Sequence, residues 1–287
     1  MTPLVEASGS FVPRTILITG ASDGIGAAAA RQLASAGHRV LVSGRDKQKT
    51  KTVADAVGSP PLVADFSNFD EVRALAASVI DALDGSSLDV LCNNAGGVFG
   101  ERRESADGNE LTLQVNHLAP FLLTSLLVPA LAPGAAVINT SSIASRLFAR
   151  YDVDDLQLRS GYSPNRAYGN AKLDNLLFTR GLDARYGDRL SSVAFHPGAV
   201  ASNFAADSSS IFRLLYRTPL RRLFLISSEQ GGSNLAWFAE GTPGSTWVPG
   251  GYYEERKPGR ENKIAADPAV VDALWDESVA LTGAVWP

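Results

Sequence analysis

Short runs of apolar residues alternate along this chain with longer segments in which apolar residues recur at helical spacing. The short runs predict strands at residues 14–19, 39–43, 62–64, 88–92, 135–139 and 192–195. The longer segments predict helices at 25–36, 47–57, 68–83, 110–131, 166–186, 229–239 and 268–281. Strands that are apolar on both faces and separated by helices are typical of a parallel sheet covered on both sides. The pattern therefore predicts an α/β fold with a doubly wound parallel sheet.

The alternation also predicts the domain organisation. No repeat, low-complexity tract or long Ser/Gly/Pro-rich linker divides it. We therefore expect a single domain at 14–287, preceded by a short leader at 1–13. Two stretches interrupt the regular pattern. A polar loop at about 145–165 is too long for a passive connection and is predicted as an active-site insert. A second stretch, at about 201–226, is predicted as a substrate lid.

The predicted lid combines an apolar face with Arg213, Arg217 and Arg221 at a repeating four-residue spacing. This pattern favours a cover over an apolar substrate pocket, with association at a membrane surface and a plain packing helix as the alternatives. The most apolar part of the chain is 118–138, which contains three prolines and a glycine. We interpret it as a buried helix followed by a buried strand rather than a membrane span.

Composition and charge exclude several classes of protein. Of the 287 residues, 45% are hydrophobic and 20% are charged, as in ordinary globular proteins. The formal net charge of -4 gives no general attraction to nucleic acid or anionic lipid. A single cysteine excludes an intramolecular disulfide, and the unclustered histidines predict no metal site. Because the leader lacks an export signal, we expect a cytoplasmic protein with no nucleic-acid partner and no stable membrane insertion.

A glycine-rich turn follows the first predicted strand. Residues 19–26 read TGASDGIG, so three glycines are spaced Gly-x3-Gly-x-Gly. Glycines here allow a tight turn and a close approach of the backbone to a pyrophosphate, and the following helix begins with free N–H groups. The turn therefore predicts a dinucleotide site, with contacts from Gly20, Ser22, Asp23, Gly24, Ile25 and Gly26.

The end of the second predicted strand bears on the choice of dinucleotide. An acid that binds the ribose 2′-hydroxyl is expected there, but Gly44 occupies that position. Arg45 follows, and its planar guanidinium suits a 2′-phosphate. NADP(H) is therefore favoured over NAD(H). Two alternatives stay open, namely a solvated Arg45 and a one-residue shift that would bring Asp46 to the ribose.

The other strands predict further cofactor contacts, because ligands of such folds bind at the carboxyl ends of the strands. The residues that follow the third and fourth strands are Asp65, Phe66, Asn93, Ala95 and Gly96. A carboxylate at Asp65 can meet the adenine amino group. After the sixth strand, Pro197 and Gly198 begin a rigid turn that can line the nicotinamide.

Four polar side chains predict the chemistry. Tyr168 and Lys172 are four residues apart on one predicted helix, so they share a face. A free phenol has a pKa near 10, and a neighbouring ammonium lowers that value. Ser142 follows the fifth strand and can donate to a substrate carbonyl oxygen. Asn116 is a polar residue within a helix, where it can bind water and perturb the helical hydrogen bonds.

These motifs, in this order, resemble the short-chain dehydrogenase/reductase family. The resemblance covers nearly the whole chain and implies a single Rossmann-type doubly wound sheet with helices on both faces. It also implies a catalytic tetrad of Asn116, Ser142, Tyr168 and Lys172. In the family the tyrosine is the acid/base, the lysine holds the nicotinamide ribose and lowers the tyrosine pKa, the serine orients the carbonyl, and the asparagine supports a water-linked proton relay.

The resemblance is less direct at two positions. The alignment with the strand end favours Ser142 over Ser141 as the family's serine. The family usually places a threonine that contacts the cofactor amide a few residues after Pro-Gly, and Ser202 stands there in this chain. Val200, just before it, is also implied as a cofactor contact, as are Tyr168 and Lys172 themselves.

Segments around 115–124, 154–156 and 172–180 resemble retinol-dehydrogenase-like enzymes and the oxidoreductase domain of WW-domain-containing oxidoreductase. That subgroup implies NADP(H) and lipophilic alcohols, aldehydes or ketones, although the membrane anchor common there is not expected in this chain. The prediction is an NADP(H)-dependent oxidoreductase that interconverts a carbonyl and an alcohol on an apolar small molecule, with Tyr168 as acid/base. A non-catalytic NADP(H)-binding regulator and a C=C reductase are the alternatives. Peripheral membrane association and homo-oligomers stay open.

Overall fold

The computed structural model describes residues 12–198 and 226–287. The predicted cofactor contacts Val200 and Ser202 lie outside these residues, as do nearly all of the predicted leader and lid.

Eight strands of the described residues form one sheet. They are β1 Thr15–Ile18, β2 Arg39–Gly44, β3 Pro61–Val63, β4 Leu88–Asn93, β5 Leu131–Thr140, β6 Leu190–His196, β7 Tyr252–Glu254 and β8 Lys257–Pro258. Their order is β3-β2-β1-β4-β5-β6-β7-β8, and every pair is parallel except the last. The six predicted strands and the doubly wound α/β fold are confirmed. The direction in which strands are added reverses between β1 and β4, which is where such sheets bind ligands.

Helices cover both faces of the sheet. They are α1 Gly24–Ser35, α2 Lys47–Val57, α3 Phe69–Leu83, α4 Leu111–Leu113, α5 Ala119–Leu127, α6 Ala144–Leu147, α7 Pro164–Tyr186, α8 Ser228–Glu240 and α9 Pro268–Thr282. Side chains of the central strands alternate between two core clusters. In β1, Ile16 and Ile18 pack with α1 and α8, while Leu17 belongs to the cluster formed with α3, α5, α7 and α9. This period of two places one cluster on each face.

The predicted helix at 110–131 is interrupted. A π-helical turn, Gln114–Leu118, separates α4 from α5, and a 3₁₀ turn, Val128–Ala130, leads directly into β5. The strand therefore begins at Leu131, four residues before the apolar run that predicted it. The first residues of β5 include Pro133 and Gly134, which are uncommon inside strands, so the sequence pattern did not predict a strand there.

One helical segment of the described residues, Leu111–Ala130, is long and apolar enough to cross a membrane. However, 83% of its most apolar window is buried inside the fold. It lies against α3 and α7 as a core helix. The interpretation of 118–138 as a buried helix followed by a buried strand is confirmed.

The helix α7 carries a buried carboxyl group, that of Asp174. Asp174 is 0% exposed. The Tyr151 phenol, from the stretch 145–165, faces it, although the two groups make no hydrogen bond of good geometry. Burial raises the pKa of Asp174 to about 8, and Tyr151 offsets only part of that effect. Asp174 is therefore mostly protonated at neutral pH.

Replacing Asp174 by asparagine should flatten the dependence of stability on pH. The folded pKa lies above the unfolded value of about 4, so the folded chain keeps a proton that the unfolded chain releases. The free energy of unfolding therefore falls as pH rises from about 4 to 8, by up to about 1.4 kcal/mol per pH unit for this group. The Asp174→Asn substitution would remove that contribution, which urea unfolding at pH 5 and pH 8 measures. The control is Asp276→Asn, which changes an exposed carboxylate on α9. The assignment would be contradicted if Asp174→Asn lost as much free energy of unfolding between pH 5 and pH 8 as the wild-type protein.

Candidate active site

The Thr19 side chain connects the ends of β1 and β4 through hydrogen bonds. Its hydroxyl donates to the Cys92 carbonyl at 3.2 Å and accepts from the N–H groups of Asn94 and Ala95, each at 3.0 Å. Gly20 follows in the left-handed region, at φ +64°, and a Cβ there would lie 2.7 Å from the Ala95 Cα. The turn can therefore be made only by glycine.

The helix α1 begins directly against this turn. A Cβ at Gly26 would lie 2.5 Å from the Gly20 carbonyl oxygen, so the missing side chain sets the distance between helix and turn. The Asp23 carboxylate caps the helix by accepting from the Gly24 N–H at 2.8 Å. The unpaired N–H groups of the first turn give this end a partial positive charge, which suits a pyrophosphate. Gly20 and Gly26 thus bring the turn and the start of α1 close together, and the backbone there is open to the close approach that the sequence predicts for a pyrophosphate.

Two adjacent asparagines at the end of β4 have different surroundings. Asn93 is buried, and its amide donates to Asn139 at 2.9 Å and to Thr124 at 3.0 Å, inside the fold. Asn94 instead donates to the Thr19 carbonyl at 2.9 Å and braces the glycine turn. Asn93 is predicted from the sequence as a cofactor contact, but its side chain is engaged within the core. Asn94 was not predicted as a site residue. The alternation of side chains along a strand could have indicated that Asn94 faces the opposite way from Asn93.

The end of β2 has no room for the acid that the position normally carries. A Cβ at Gly44 would lie 2.6 Å from the Ser22 Cβ and 2.7 Å from the Thr50 hydroxyl oxygen. Arg45 is exposed beside it. Asp46 is occupied as the N-cap of α2, where it accepts from the Lys49 N–H at 2.9 Å.

A second cation lies near this edge. The Lys49 ammonium is 3.1 Å from the Asp23 carboxylate, so it bridges the first turns of α2 and α1. Its position was not predicted from the sequence, because only the fold brings the two helix starts together.

The end of β3 presents a carboxylate and buries an aromatic ring. The Asp65 carboxylate accepts from the Ser67 N–H at 2.9 Å and is half-buried. Phe66 is 5% exposed, and its ring packs in the core cluster on the α3 face. Of these two predicted contacts, only Asp65 therefore has a side chain at the sheet edge.

Tyr168 and Lys172 lie on one face of α7, as the spacing predicts. The helix starts from Ser163, which caps it by accepting from the Arg166 N–H at 3.2 Å. Both side chains are buried, and the Lys172 Nζ lies 5.6 Å from the centroid of the Tyr168 ring. The Lys172 ammonium donates to the Thr140 carbonyl at 3.1 Å. Burial lowers its pKa to about 7.

The two serines after β5 differ in what their hydroxyls do. The Ser141 hydroxyl is buried and donates to the Lys172 carbonyl at 2.6 Å. The Ser142 hydroxyl is half-buried and accepts from the Ala144 N–H at 3.2 Å, which leaves its proton for another acceptor. The tyrosine packs in a small apolar cluster with Val98, Ala144 and Phe148.

Asn116 lies in the π-helical turn, so the interruption of the helix expected there is present. Its amide donates to the Gly97 and Thr112 carbonyls, each at 2.9 Å, and accepts from the Gly97 N–H at 3.1 Å. A Cβ at Gly96 would lie 2.4 Å from the Asn116 Oδ1 and 3.1 Å from the Lys172 Nζ. The missing side chain at Gly96 therefore lets both the Asn116 amide and the Lys172 ammonium approach the loop after β4.

The Pro197–Gly198 turn lies at the end of β6. Gly198 has φ +100°, a backbone conformation that suits glycine. Burial lowers the pKa of His196, the residue before this turn, to about 4, and that of His117, which lies in the core against Phe178, to about 3. In 12–198 and 226–287, no three His, Cys, Asp or Glu side chains group as a metal site would need.

Comparison with known proteins identifies this arrangement. A family model described as short chain dehydrogenase matches residues 14–210, which is more than half of the chain. The chain belongs to the short-chain dehydrogenase/reductase family. This oxidoreductase family and its retinol-dehydrogenase-like relatives are those that the motifs predicted, and both predictions are confirmed.

The curated relatives of this short-chain dehydrogenase/reductase align over nearly its whole length. DnrU of Streptomyces sp. (strain C5), which bears the name of a daunorubicin C-13 ketoreductase, is 37% identical, covering 96% of this chain and 94% of that protein. Human retinol dehydrogenase 12 is 35% identical, covering 95% and 87%. Mouse polyprenol dehydrogenase is also 35% identical, covering 94% and 84%.

Solved structures agree on the fold of the enzyme. An uncharacterised protein from Mycobacterium paratuberculosis matches with a TM-score of 0.76 and 31% identity, covering 97% of this chain and 96% of that one. The NADPH-bound carbonyl reductase from chicken fatty liver matches with a TM-score of 0.64 and 23% identity, covering 87% and 99%.

Adding a methyl group at Gly96 should damage the enzyme without unfolding it. Gly96→Ala would push the Asn116 amide or the Lys172 ammonium from its position, and a displacement of about 1 Å near reacting groups costs about a hundredfold in rate. Steady-state turnover of the purified protein and its melting temperature measure the effect. Gly97→Ala is the matched control, because its Cβ would meet only the Phe99 ring at an ordinary 3.4 Å. Equal losses in both variants would show that Gly96 has no special role.

Proposed function

We propose that this short-chain dehydrogenase/reductase interconverts a carbonyl and an alcohol on an apolar small molecule, with NADP(H) as cofactor. The observation that carries the proposal is the placement of Tyr168, Lys172 and Ser142 at the carboxyl edge of the sheet. The Lys172 ammonium faces Gly96 in the loop after β4, and this loop packs at Ala95 against Gly20 of the glycine turn, where a dinucleotide would bind. A nicotinamide bound there supplies or accepts the hydride.

The side chains supply the proton transfer. In the direction of reduction, the Tyr168 hydroxyl gives its proton to the substrate oxygen as the carbon gains hydride, and in oxidation it takes that proton back. The Ser142 hydroxyl donates a hydrogen bond to the same oxygen and stabilises the negative charge that develops on it. Its neighbour Ser141 is already engaged with a backbone carbonyl, which supports Ser142 in this role.

Lys172 supplies positive charge beside Tyr168, and Asn116 maintains the π-helical turn. The Lys172 ammonium lies beside the Tyr168 ring and faces Gly96, where it can donate to ribose hydroxyls and favour a phenolate. Burial lowers the pKa of Lys172 to about 7, and a bound group that accepts hydrogen bonds from its ammonium would favour the charged form. Asn116 keeps the π turn open at the same place, which supports a water-linked relay.

The surroundings of β2 support NADP(H) over NAD(H). Gly44 leaves no space for an acid, and Asp46 is used as a helix cap rather than being free to meet a ribose. Arg45 brings an exposed positive charge to this edge, where a 2′-phosphate would lie, and the Lys49 ammonium lies near it while paired with the Asp23 carboxylate.

The apolar cluster of Val98, Ala144 and Phe148 beside Tyr168 supports an apolar substrate. The names of the relatives support carbonyl–alcohol interconversion, because they are those of a daunorubicin ketoreductase, a retinol dehydrogenase and a polyprenol dehydrogenase. No contact of the described residues favours a C=C reductase or a regulator without turnover.

Tyr168→Phe should abolish most turnover while leaving the cofactor bound. Loss of a general acid/base costs about a hundredfold to ten-thousandfold in rate, whereas the aromatic ring without its hydroxyl keeps the packing. The test is NADPH consumption with a panel of apolar ketones and aldehydes, with product analysis to separate C=O from C=C reduction. Tyr186→Phe, whose hydroxyl donates to the Pro287 carbonyl at 3.1 Å on the protein surface, is the control. An undiminished rate would refute the assigned role, and NADPH binding without any turnover would favour the regulator.

Arg45→Ala should weaken NADPH far more than NADH. A charge-assisted hydrogen bond is worth about 1.5–3 kcal/mol, so the dissociation constant of NADPH should rise about tenfold to a hundredfold. Titration of protein fluorescence with each cofactor measures both constants. Lys51→Ala removes a charge from α2 that pairs with Asp55 and serves as the control for general electrostatics. Equal weakening of NADPH and NADH by Arg45→Ala would remove the argument for NADP(H).

A further inference from the structure

A buried amide on α8 holds the turn that follows β6. Asn234 is 4% exposed, and its Nδ2 donates to the Pro197 carbonyl at 3.1 Å. Its Oδ1 accepts from the Arg256 Nε at 2.9 Å. Both ends of the amide are therefore occupied, with the Pro197–Gly198 turn on one side and Arg256 on the other.

Arg256 decides which way this amide points. An asparagine amide can rotate by half a turn and exchange its oxygen and nitrogen, but a guanidinium has only donors. Beside Arg256, only the oxygen of Asn234 forms a favourable contact, so the nitrogen must face Pro197. Without Arg256 only the Pro197 carbonyl would favour this orientation, so the amide would be held less firmly and its hydrogen bond to the turn would weaken.

Arg256 is itself held by two neighbouring groups. Its second guanidinium nitrogen donates to the Ser233 carbonyl at 3.1 Å and also to the Ser233 hydroxyl, so the planar fork spans two successive residues of α8. It lies between β7 and β8, next to Glu255, whose N–H donates to the His196 carbonyl at 2.7 Å. The hairpin of these two strands is thereby fixed to the end of β6.

The same helix also contacts α1, on the other side of the crevice at the carboxyl ends of the strands in which the dinucleotide would lie. A Cβ at Gly232 would lie 2.6 Å from the Ala28 Cβ and 2.7 Å from the Ala29 nitrogen, so α8 packs tightly on α1. The first turn of α1 is the proposed pyrophosphate site. Asn234, two residues after Gly232, therefore joins the Pro197–Gly198 turn to the helix that would hold the phosphates.

We propose that Arg256 is a positioning residue for cofactor binding, which acts through Asn234 to hold the Pro197–Gly198 turn at the nicotinamide end of the crevice. The inference rests on the proposed function, because that function makes the turn a cofactor contact. Arg256 touches neither the proposed catalytic residues nor the glycine turn. Its removal should therefore weaken the binding of NADPH without changing the chemical step.

The experiment compares Arg256→Ala, Asn234→Ala and the double variant in the full chain, with NADPH as the probe. Arg256→Ala should raise the dissociation constant and the KM of NADPH about fivefold to twentyfold, while kcat stays within about twofold, since it removes a charge-assisted hydrogen bond outside the reacting groups. If Arg256 acts through Asn234, the double variant should bind NADPH no more weakly than Asn234→Ala. Arg256→Lys keeps a donor for the Asn234 oxygen and should restore much of the affinity.

Arg73→Ala is the matched control, because Arg73 also ties the fold to a backbone carbonyl, that of Thr282 at 3.0 Å, away from the crevice. It should change the melting temperature at least as much as Arg256→Ala does and leave NADPH binding unchanged. Unaltered NADPH affinity in Arg256→Ala, or additive losses in the double variant, would overturn the inference alone. Failure of the unchanged protein to bind NADPH would overturn the proposed function, and this inference with it.

Discussion

A lysine side chain withdrawn from water is the constraint around which the catalytic edge is arranged. Burying an ammonium is costly unless hydrogen-bond acceptors surround it. The Thr140 carbonyl accepts from Lys172 and also from the Asn175 amide at 3.0 Å, and Ser141 donates back to the Lys172 carbonyl. These bonds fasten α7 to the end of β5 at a single register. Tyr168, one helical turn before Lys172, is held in position as a consequence.

Beneath this edge, polar side chains cross a sheet that is otherwise apolar. The Asn93 amide donates to Asn139, whose own amide donates to Thr179 at 2.9 Å. The Ser192 hydroxyl donates to the Thr179 carbonyl at 2.7 Å. The chain of bonds thus joins β4, β5, β6 and α7 inside the core. Such a network stabilises one alignment of the strands, because any shift would leave buried polar groups without partners.

The sequence alone could predict the parts of the fold that depend on local patterns. Six strands are short apolar runs between helices, and the glycine turn follows the first of them. The strands β7 and β8 were missed, since they are three and two residues long and are stable only by pairing with β6 and with each other. Likewise, the position of Tyr168 and Lys172 on one face of α7 was predictable from their spacing, whereas the contacts of Asn94, Lys49 and Arg256 join distant segments of the chain. Asn93 was predicted as a cofactor contact because it belongs to a motif at the end of β4, but the alternation of side chains along that strand directs its amide into the core.

The two outermost strands of the described sheet share a feature of composition. Pro61 begins β3 at one border and Pro258 ends β8 at the other. Proline has no N–H to donate, and Lys257 adds a charge at the second border. Neither border therefore offers an unbroken row of hydrogen-bond donors to a strand from another molecule. This limits the growth of the sheet into fibrous aggregates.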